Sequence, residues 1–330
     1  MRNAKTILTV IQTRGSQKLP LERLYKLLYN KELYLLAYSK LYPNSGAMTK
    51  GATDETVDGM SIKKIEKLID DVRHERYKWN ATRRVYIPKK DGKQRPLGIP
   101  TWSDKLLQEV ISMILEAYYE PQFSKSSHGF RPQRGCHTAL SEILTWKGTK
   151  WFVEGDISKY FDTIDHDVLL NILSKNILDN RFLRLIDNLL KAGYLEDWKF
   201  HKTISGTPQG GVISPLLANI YLNEFDNWVE TVLIPKYTKG KRQKSNPEYN
   251  KFNHRIAECQ ANGDFLTARN LKIERRNFPS IDTKNADYRR LRYVRYADDF
   301  ILGFTGSKQE AEEIKAEIGE WIKANLKLDL

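Results

Sequence analysis

The fold of this chain is decided by the stretch Leu291-Arg-Tyr-Val-Arg-Tyr-Ala-Asp-Asp-Phe-Ile-Leu-Gly-Phe304. Two short runs, residues 291–296 and 300–304, are rich in aromatic and branched side chains and have the length of β-strands. A tight turn between them would carry the adjacent carboxylates of Asp298 and Asp299. Aspartate is also a common turn residue, so a solvated hairpin tip is the simpler interpretation of this stretch taken alone.

A second apolar run, residues 151–157, also ends near an aspartate, Asp156. If the two strands lie side by side, Asp156 and Asp298 converge. Clustered carboxylates repel one another and shift towards protonation unless a cation neutralises them. Because hard divalent cations prefer oxygen ligands, the sequence predicts a Mg²⁺ site. Two such ions could activate a 3′-hydroxyl and stabilise a leaving pyrophosphate, although phosphodiester hydrolysis uses the same arrangement.

The positive charge of the chain is segregated along its 330 residues. Residues 1–150 carry 27 basic and 15 acidic side chains, and residues 236–292 carry 15 and 6. The segments that hold the aspartates are acidic, with 7 basic and 12 acidic side chains over 151–235, and 5 and 8 over 293–330. A polyanion held by the basic segments would lay its phosphates near the carboxylates. A merely solubilising basic surface would not explain the segregation.

The composition also excludes several classes of protein. No run of about 18 apolar residues suggests a membrane span, and the start of the chain lacks the apolar core of a signal peptide. Cys136 and Cys259 are the only cysteines, too few for a disulfide framework and without zinc-ligand spacing. We therefore expect a soluble, intracellular protein with a core of ordinary size and no membrane partner.

The hydrophobic pattern predicts helices with a few strands between them. We expect helices within residues 1–45, where a tyrosine series favours core packing, and from Ser61 with a buried face that begins at Ile62. Further predicted features are a cationic hairpin over 82–99, a loop over 127–137, a helix over 216–234 stopped by Pro235, a basic insertion over 236–292 with one helical patch at 265–276, a helix from Ser307 to about residue 325, and a strand that begins at 326–330.

Two neighbouring features favour a polymerase over a nuclease. Phe161, five residues past Asp156, could exclude a 2′-hydroxyl from a bound nucleotide, although simple core packing is the stronger interpretation of its local sequence. Gln209 and the two glycines after it would let backbone approach a base pair closely, although plain loop chemistry explains them equally well.

Five motifs in fixed order resemble the reverse transcriptases encoded by group II introns, also called intron maturases. They span about residues 85–305 and are Pro88-Lys-Lys-Asp-Gly-Lys-Gln-Arg-Pro-Leu-Gly-Ile-Pro100, His128-Gly-Phe-Arg-Pro132 with the following Arg134, Gly135 and His137, Gly155-Asp-Ile-Ser-Lys-Tyr-Phe-Asp162 with Ile164-Asp-His166, Thr207-Pro-Gln-Gly-Gly-Val-Ile-Ser-Pro-Leu-Leu-Ala-Asn-Ile-Tyr-Leu222, and Arg295-Tyr-Ala-Asp-Asp-Phe300.

The resemblance implies an α+β fold, the fingers and palm of a right-hand polymerase without a thumb, with the palm a small antiparallel sheet backed by helices. It implies an N-terminal helical extension at 1–45, fingers at 46–145 with 170–206 returning to them, and palm at 146–169 and 207–330, with the basic insertion at 236–292. By matching position, the implied site residues are Asp156, Asp298 and Asp299 as catalytic metal ligands, Lys89 and Arg95 at the triphosphate, Phe161 as the sugar gate, and Gln209 at the nucleotide pocket.

The implied activity is RNA-directed DNA synthesis with two Mg²⁺ ions and dNTP substrates. The implied partners are group II intron RNA, whose splicing and mobility the protein would assist, an RNA template with a DNA primer, and target DNA through C-terminal domains that this chain lacks. Exposed Leu and Tyr residues in the first 45 positions could form either a self-association surface, and so a homodimer, or an RNA-binding surface. We expect a bacterial cytoplasmic location, with an organelle as the alternative.

Other interpretations stay open at this point. The chain ends where the family continues into a thumb, so the fragment is expected to be weak or inactive in processive synthesis. A non-catalytic RNA-binding splicing factor is the main alternative, and retron, diversity-generating and CRISPR-associated reverse transcriptases share the core motifs. A metal-dependent nuclease is disfavoured by Phe161 and Gln209.

Overall fold

The computed structural model describes residues 3–44, 46–88, 92, 94–197, 199–203, 205–207, 210–282 and 285–330. The strands are β1 (Thr82–Pro88), β2 (Gln94–Ile99), β3 (Ser127–His128), β4 (Trp151–Gly155), β5 (Tyr194–Glu196), β6 (Lys199–His201), β7 (Leu291–Tyr296) and β8 (Asp299–Phe304). The helices are α1 (Ala4–Ser16), α2 (Lys31–Leu41), α3 (Ile62–Arg73), α4 (Trp102–Tyr119), α5 (Cys136–Ile143), α6 (Tyr160–Thr163), α7 (His166–Ser174), α8 (Asn180–Leu190), α9 (Ser214–Trp228), α10 (Ile234–Lys236), α11 (Pro247–Ala261), α12 (Phe265–Arg275) and α13 (Lys308–Leu326).

The strands form two small sheets among helices, which confirms the predicted α+β class. The first sheet has the order β2-β1-β5-β6, with β1 and β2 as an antiparallel hairpin and β5 parallel to β1. This hairpin is the one predicted over 82–99. The predicted boundaries of fingers, palm and extension stay a prediction.

The second sheet has the order β3-β7-β8-β4 and carries the predicted aspartates. Strand β8 pairs antiparallel with both β7 and β4. The loop predicted over 127–137 is partly wrong, because Ser127 and His128 form β3 and pair in parallel with Arg295 and Tyr296. A strand of two residues leaves no periodic pattern in the sequence, so only its pairing reveals it.

Helices α9 and α13 back the second sheet, as predicted. The ring of Phe225 on α9 contacts Tyr293 and Phe300 of the sheet and Trp321 of α13, at centroid distances of 5.7, 5.1 and 5.9 Å. Helix α13 begins with the capping box that Ser307 and Glu310 predict. Burial of the apolar side chains along these helices, at roughly 1.5–3 kcal/mol each, fixes the sheet against a rigid layer.

The N-terminal segment is helical, and two of its tyrosines lie in the core, as predicted. Tyr25 and Tyr34 are buried and donate their hydroxyls to the carbonyls of Val72 and Leu28, at 2.8 and 2.9 Å. Tyr42, at the end of the series, is exposed. The helix predicted from Ser61 is α3, with the Ser61 side chain as its cap.

Four details of the sequence prediction are wrong. Ile62 is exposed rather than part of the buried face of α3. Pro235 does not stop the helix before it, because a π-helical turn (Val229–Leu233) leads into α10, which contains that proline. The basic insertion holds two helices, α11 and α12, rather than one patch. Residues 327–330 form no strand; Leu326, the last residue of α13, and Leu328, beyond its end, are instead buried.

In the described part of the chain, no helix combines the length and the hydropathy that crossing a bilayer requires.

Candidate active site

Strand register brings the three predicted aspartates to one edge of the second sheet. Gly155 pairs with Phe300, so Asp156 follows the end of β4 beside the turn that joins β7 to β8. Tyr296 pairs with Asp299 across that turn, which leaves Ala297 and Asp298 as its two tip residues. The convergence of Asp156 with Asp298, expected from the sequence, follows from this pairing.

The turn depends on an unusual backbone conformation at Ala297. Its φ of 56° lies in the left-handed region, which costs an alanine about 1–2 kcal/mol. Its N–H donates to the carbonyl of His128 at 2.9 Å, and its carbonyl accepts from Nη1 of Arg295 at 2.6 Å. Gly129 packs against it so closely that a Cβ there would lie 2.9 Å from the Ala297 nitrogen. Contacts on both sides therefore hold the strained residue.

Arg295 is completely buried beneath the turn and pairs with Asp226 of α9, which is equally buried. Its Nε and Nη2 donate to the two carboxylate oxygens of Asp226 at 2.8 and 2.6 Å. Tyr293 adds a hydrogen bond from its hydroxyl to the same carboxylate, at 2.6 Å. Although burial disfavours the charged guanidinium, the Asp226 carboxylate raises the pKa of Arg295 above its ordinary value. The cation under the turn is thus permanently charged.

The carboxylates at the turn carry the electrostatic signature of a cation site. Burial, and then the charge of Asp156, raise the pKa of Asp298. Burial, together with the charges of Asp298 and Asp156, also raises the pKa of Asp299. The three groups therefore interact, and a bound cation would relieve their repulsion.

The donor set fits Mg²⁺, but it does not form a closed cage. Among the described residues, no group of three or more His, Cys, Asp or Glu side chains is already arranged to hold a metal ion. Mg²⁺ commonly keeps several waters and takes only one or two carboxylates, with substrate phosphates completing its shell. Three neighbouring but separated carboxylates at the edge of an open cleft suit that mode of binding.

A cleft of about 900 Å³ lies between the β1–β2 hairpin and the turn that carries the carboxylates. Arg95, on the β1–β2 hairpin, lines it from one side, and the charge of this arginine counteracts the raised pKa of Asp298. From the other side it is lined by residues of the second sheet and of nearby turns, among them Asp156, Phe161, Gly210, Gly211, Asp298 and Asp299. Five of the seven predicted site residues therefore lie in one cavity. Lys89 and Gln209 lie outside the described residues.

The position of Phe161 is compatible with both interpretations of its local sequence, core packing and a place beside a bound nucleotide. It is half-buried on α6, packs against the hydrophobic core, and its ring also lines the cleft. The ring lies edge-on to Phe130, with centroids 6.3 Å apart. Its backbone carbonyl accepts a hydrogen bond from the N–H of Thr207 at 2.7 Å, and neighbouring Tyr160 donates to the carbonyl of Ala218 at 2.7 Å. The helix that carries the ring is thus anchored from two directions.

Sequence reasoning assigned no role to the residues that support the turn. Arg295 and Asn219 lie within two of the five motifs, whereas Asp226 lies outside all of them. One signal was present: Leu291, Tyr293 and Arg295 alternate on the core-facing side of β7. A charged side chain at such a position indicates a buried partner, since an unpaired charge there would be very costly.

Comparison with known proteins agrees with this geometry. A cleft lined by converging aspartates is typical of proteins that act on nucleic-acid phosphates with the help of metal ions. The family model described as "Reverse transcriptase (RNA-dependent DNA polymerase)" matches residues 87–248. The chain is 44% identical over 317 residues to the group II intron-encoded protein LtrA of Lactococcus lactis, covering 93% of this chain and 53% of that relative. It is 34% identical over 326 residues to protein YkfC of Escherichia coli, covering 94% of this chain and 78% of that relative.

The chain therefore belongs to the reverse transcriptase family, in its group II intron-encoded branch. It spans about half the length of LtrA. Among solved structures, a chain of a "Partial Cas6-RT-Cas1--Cas2 complex" matches with a TM-score of 0.45 and 15% identity, over 91% of this chain and 42% of that one. That likeness is too distant to add to the family assignment.

Proposed function

We propose that this chain is the catalytic portion of an RNA-directed DNA polymerase that uses two Mg²⁺ ions and dNTPs to copy intron RNA. The observation that carries the proposal is the cleft that Asp156, Asp298 and Asp299 line together with Arg95 and Phe161. A nuclease would need the carboxylates, but it would have no use for a ring beside the sugar of an incoming nucleotide.

Each lining residue has a role that its chemistry supports. Asp156, Asp298 and Asp299 would hold the metal ions, which when bound would promote ionisation of the primer 3′-hydroxyl and neutralise the leaving pyrophosphate. Arg95 would bind the triphosphate, because a guanidinium matches phosphate oxygens in two-pronged geometry. Phe161 would exclude a 2′-hydroxyl. Lys89, at the triphosphate, and Gln209, at the nucleotide pocket, keep the roles that the resemblance implies.

Glycines at the rear of the cleft support close packing of the nascent base pair. Gly210 has a φ of 98°, and a Cβ there would lie 2.6 Å from the carbonyl of Gly98. The backbone of the turn before α9, which holds Gly210, therefore meets strand β2 of the first sheet at this point. The proposed division into fingers and palm places this contact at the junction between them.

Template, primer and intron RNA are the proposed partners, and the basic segments would bind them. Exposed basic side chains on α12 and after it, such as Arg269, Lys272 and Arg276, support RNA binding by the insertion. The same proposal includes target DNA as a partner and a homodimer as the assembly. It also includes a bacterial cytoplasmic location, which the similarity to LtrA of Lactococcus lactis supports.

The proposal is tested by single-nucleotide primer extension on an RNA template with Mg²⁺, which does not require processive synthesis. Asp298→Asn should lower kcat by about 10³-fold, because one metal ligand is lost at the reacting atoms. Asp329→Asn is the matched control, since this aspartate is exposed and, among the described residues, its side chain forms a surface ion pair with Lys323 at 3.5 Å and no other. Extension by Asp298→Asn at the rate of this control would refute the proposal.

Assistance to RNA splicing is the second candidate function, favoured by the excess of basic residues in the insertion. If it holds, Asp298→Asn will bind intron RNA as tightly as the unmodified chain. Replacing Arg269, Lys272 and Arg276 together by Gln should instead weaken RNA binding and flatten its dependence on salt. Equal RNA affinity for both variants, measured by filter binding across salt concentrations, would remove the insertion from this role.

A further inference from the structure

A buried hydrogen-bond network fixes the backbone of the β7–β8 turn, because the intrinsic backbone preference of Ala297 would not. Ala297 adopts a left-handed φ of 56°, which an alanine does not favour. Strained backbone of this kind persists only where the surroundings determine it from several directions. Because Ala297 immediately precedes Asp298, its conformation sets where the Asp298 carboxylate points.

The restraint on the Ala297 carbonyl comes from Arg295, whose five donor hydrogens all have acceptors. Two bonds go to the carboxylate of Asp226. The others go to the Ser127 hydroxyl at 2.7 Å, the Asn219 side-chain oxygen at 3.0 Å, and the Ala297 carbonyl at 2.6 Å. A lysine could not reproduce this, because its ammonium has three donors and no planar fork.

Asn219 joins the two sides of the turn. Its Oδ1 accepts from Arg295, and its Nδ2 donates to the carbonyl of Gly129 at 3.1 Å. Gly129 is the residue that packs on the Ala297 nitrogen. The same side chain of α9 therefore fixes both the arginine below the turn and the backbone beside it.

We propose that Arg295, oriented by Asp226 and Asn219, is a positioning residue that holds Ala297 in its strained conformation and so aims Asp298 at the metal ions. This inference rests on the proposed function and adds to it a residue that does not touch substrate or metal. Stability alone does not account for this network, since buried ion pairs often contribute less to the free energy of unfolding than well-packed apolar side chains of similar volume.

The test is a rescue experiment with Mn²⁺ as the probe, using electron paramagnetic resonance to count free and bound ions. Arg295→Lys should weaken Mn²⁺ binding by about tenfold, the usual scale for loss of a group that orients a metal ligand. The double variant Arg295→Lys with Ala297→Gly should recover most of that loss, because glycine adopts positive φ without help. If Ala297→Gly gives no recovery, the arginine serves stability alone and the inference is overturned.

A second variant keeps the test decisive if Arg295→Lys does not fold. Asn219→Ala leaves the ion pair intact and removes one tether on each side of the turn. It should weaken Mn²⁺ binding and be rescued by the same glycine, and unchanged Mn²⁺ binding would contradict the inference. Urea unfolding of each variant shows whether the protein examined is native.

Failure of this inference is distinguishable from failure of the proposed function. Asp298→Asn is the reference, and it should remove the bound Mn²⁺. If it does so while Arg295→Lys binds Mn²⁺ normally, only the positioning role fails. If Asp298→Asn binds as the unmodified chain does, the metal site itself is wrong, and the proposed function falls together with the inference. In primer extension, Arg295→Lys should lower kcat and leave KM for dNTP unchanged.

Discussion

Two hairpins face each other across the cleft, and they are built in opposite ways. Each pairs six residues of one strand with six of the next. The β7–β8 hairpin contains the completely buried Arg295, with every donor bonded. The β1–β2 hairpin ends in exposed residues, and within the described residues its Arg95 makes no ion pair. One hairpin is fixed, and the other presents charge to solvent.

The difference follows from what each hairpin would hold. Metal ligands must be placed within a fraction of an ångström, so their supports are locked by packing and hydrogen bonds. A surface that meets a mobile, highly charged substrate gains from long-range attraction and tolerates motion. The β1–β2 hairpin is held by contacts to the neighbouring strand of its sheet: the Arg84 guanidinium stacks 3.4 Å above the ring of Tyr194 on β5, and the Tyr86 hydroxyl donates to Glu196 on the same strand.

The largest predicted effect comes from removing the buried ion pair beneath the β7–β8 turn. Asp226→Asn should lower the free energy of unfolding by about 3–5 kcal/mol, because it leaves Arg295 buried and uncompensated. Glu224→Gln on the same helix is the control, since its ion pair with Lys175 lies at the surface and should contribute less than about 1 kcal/mol. Both are measured by urea unfolding, and similar losses would show that the buried pair has no special weight.

The next largest effect concerns Arg95 on the exposed β1–β2 hairpin. Arg95→Ala should raise KM for dNTP by about 10- to 100-fold, the value of a charged hydrogen bond to phosphate, and change kcat little. Stability should change by less than about 0.5 kcal/mol, because the side chain is exposed. Steady-state primer extension and urea unfolding check the two parts. A large loss of stability with normal KM would reverse the contrast between the hairpins.

A smaller effect is expected at α6, whose Phe161 ring lines the cleft. Phe161→Ala should reduce discrimination between dNTP and rNTP by about tenfold, because the ring that lines the cleft is removed. Phe161→Tyr keeps the ring and should keep the discrimination. The ratio of kcat/KM for the two nucleotides is the measurement. Unchanged selectivity in Phe161→Ala would assign this ring to core packing only.

The smallest effect tests the repulsion at the turn. The pKa of Asp299 is raised by burial and by its acidic neighbours, so in the metal-free protein ionisation of this group disfavours the folded state. That penalty is absent below the ordinary carboxyl pKa and complete above the raised pKa of the folded state. Asp299→Asn should therefore stabilise the metal-free protein at neutral pH by only about 0.5 kcal/mol, because solvent screens the group. Thermal unfolding at pH 3 and pH 7.5 checks this, with the gain expected only at the higher pH.

Local patterns predicted the two hairpins well, together with the position of Asp298 and Asp299 at the turn of the second one. Residues 291–304 alternate in strand fashion around a two-residue turn, and that information is contained within fourteen neighbouring positions. The capping boundary at Ser307 was equally local. Such features need no knowledge of distant partners.

Features that depend on distant partners were missed. Arg295 finds Asp226 at a separation of 69 residues and Ser127 at 168. Helix α11 buries only Ile256, so its polar sequence resembled a loop. Residues 326–330 alternate like a strand, but Leu326 and Leu328 are buried without one, which no local pattern distinguishes from pairing. Tertiary packing decided each of these cases.

The proposed function requires the three aspartates to share divalent cations within the cleft. Anomalous X-ray diffraction from crystals grown with Mn²⁺, a dNTP and a primer on an RNA template tests it directly. We predict anomalous peaks beside Asp156 and Asp298, on the side of the cleft that faces Arg95. Manganese bound elsewhere, with no peak within coordination distance of either carboxylate, would contradict it.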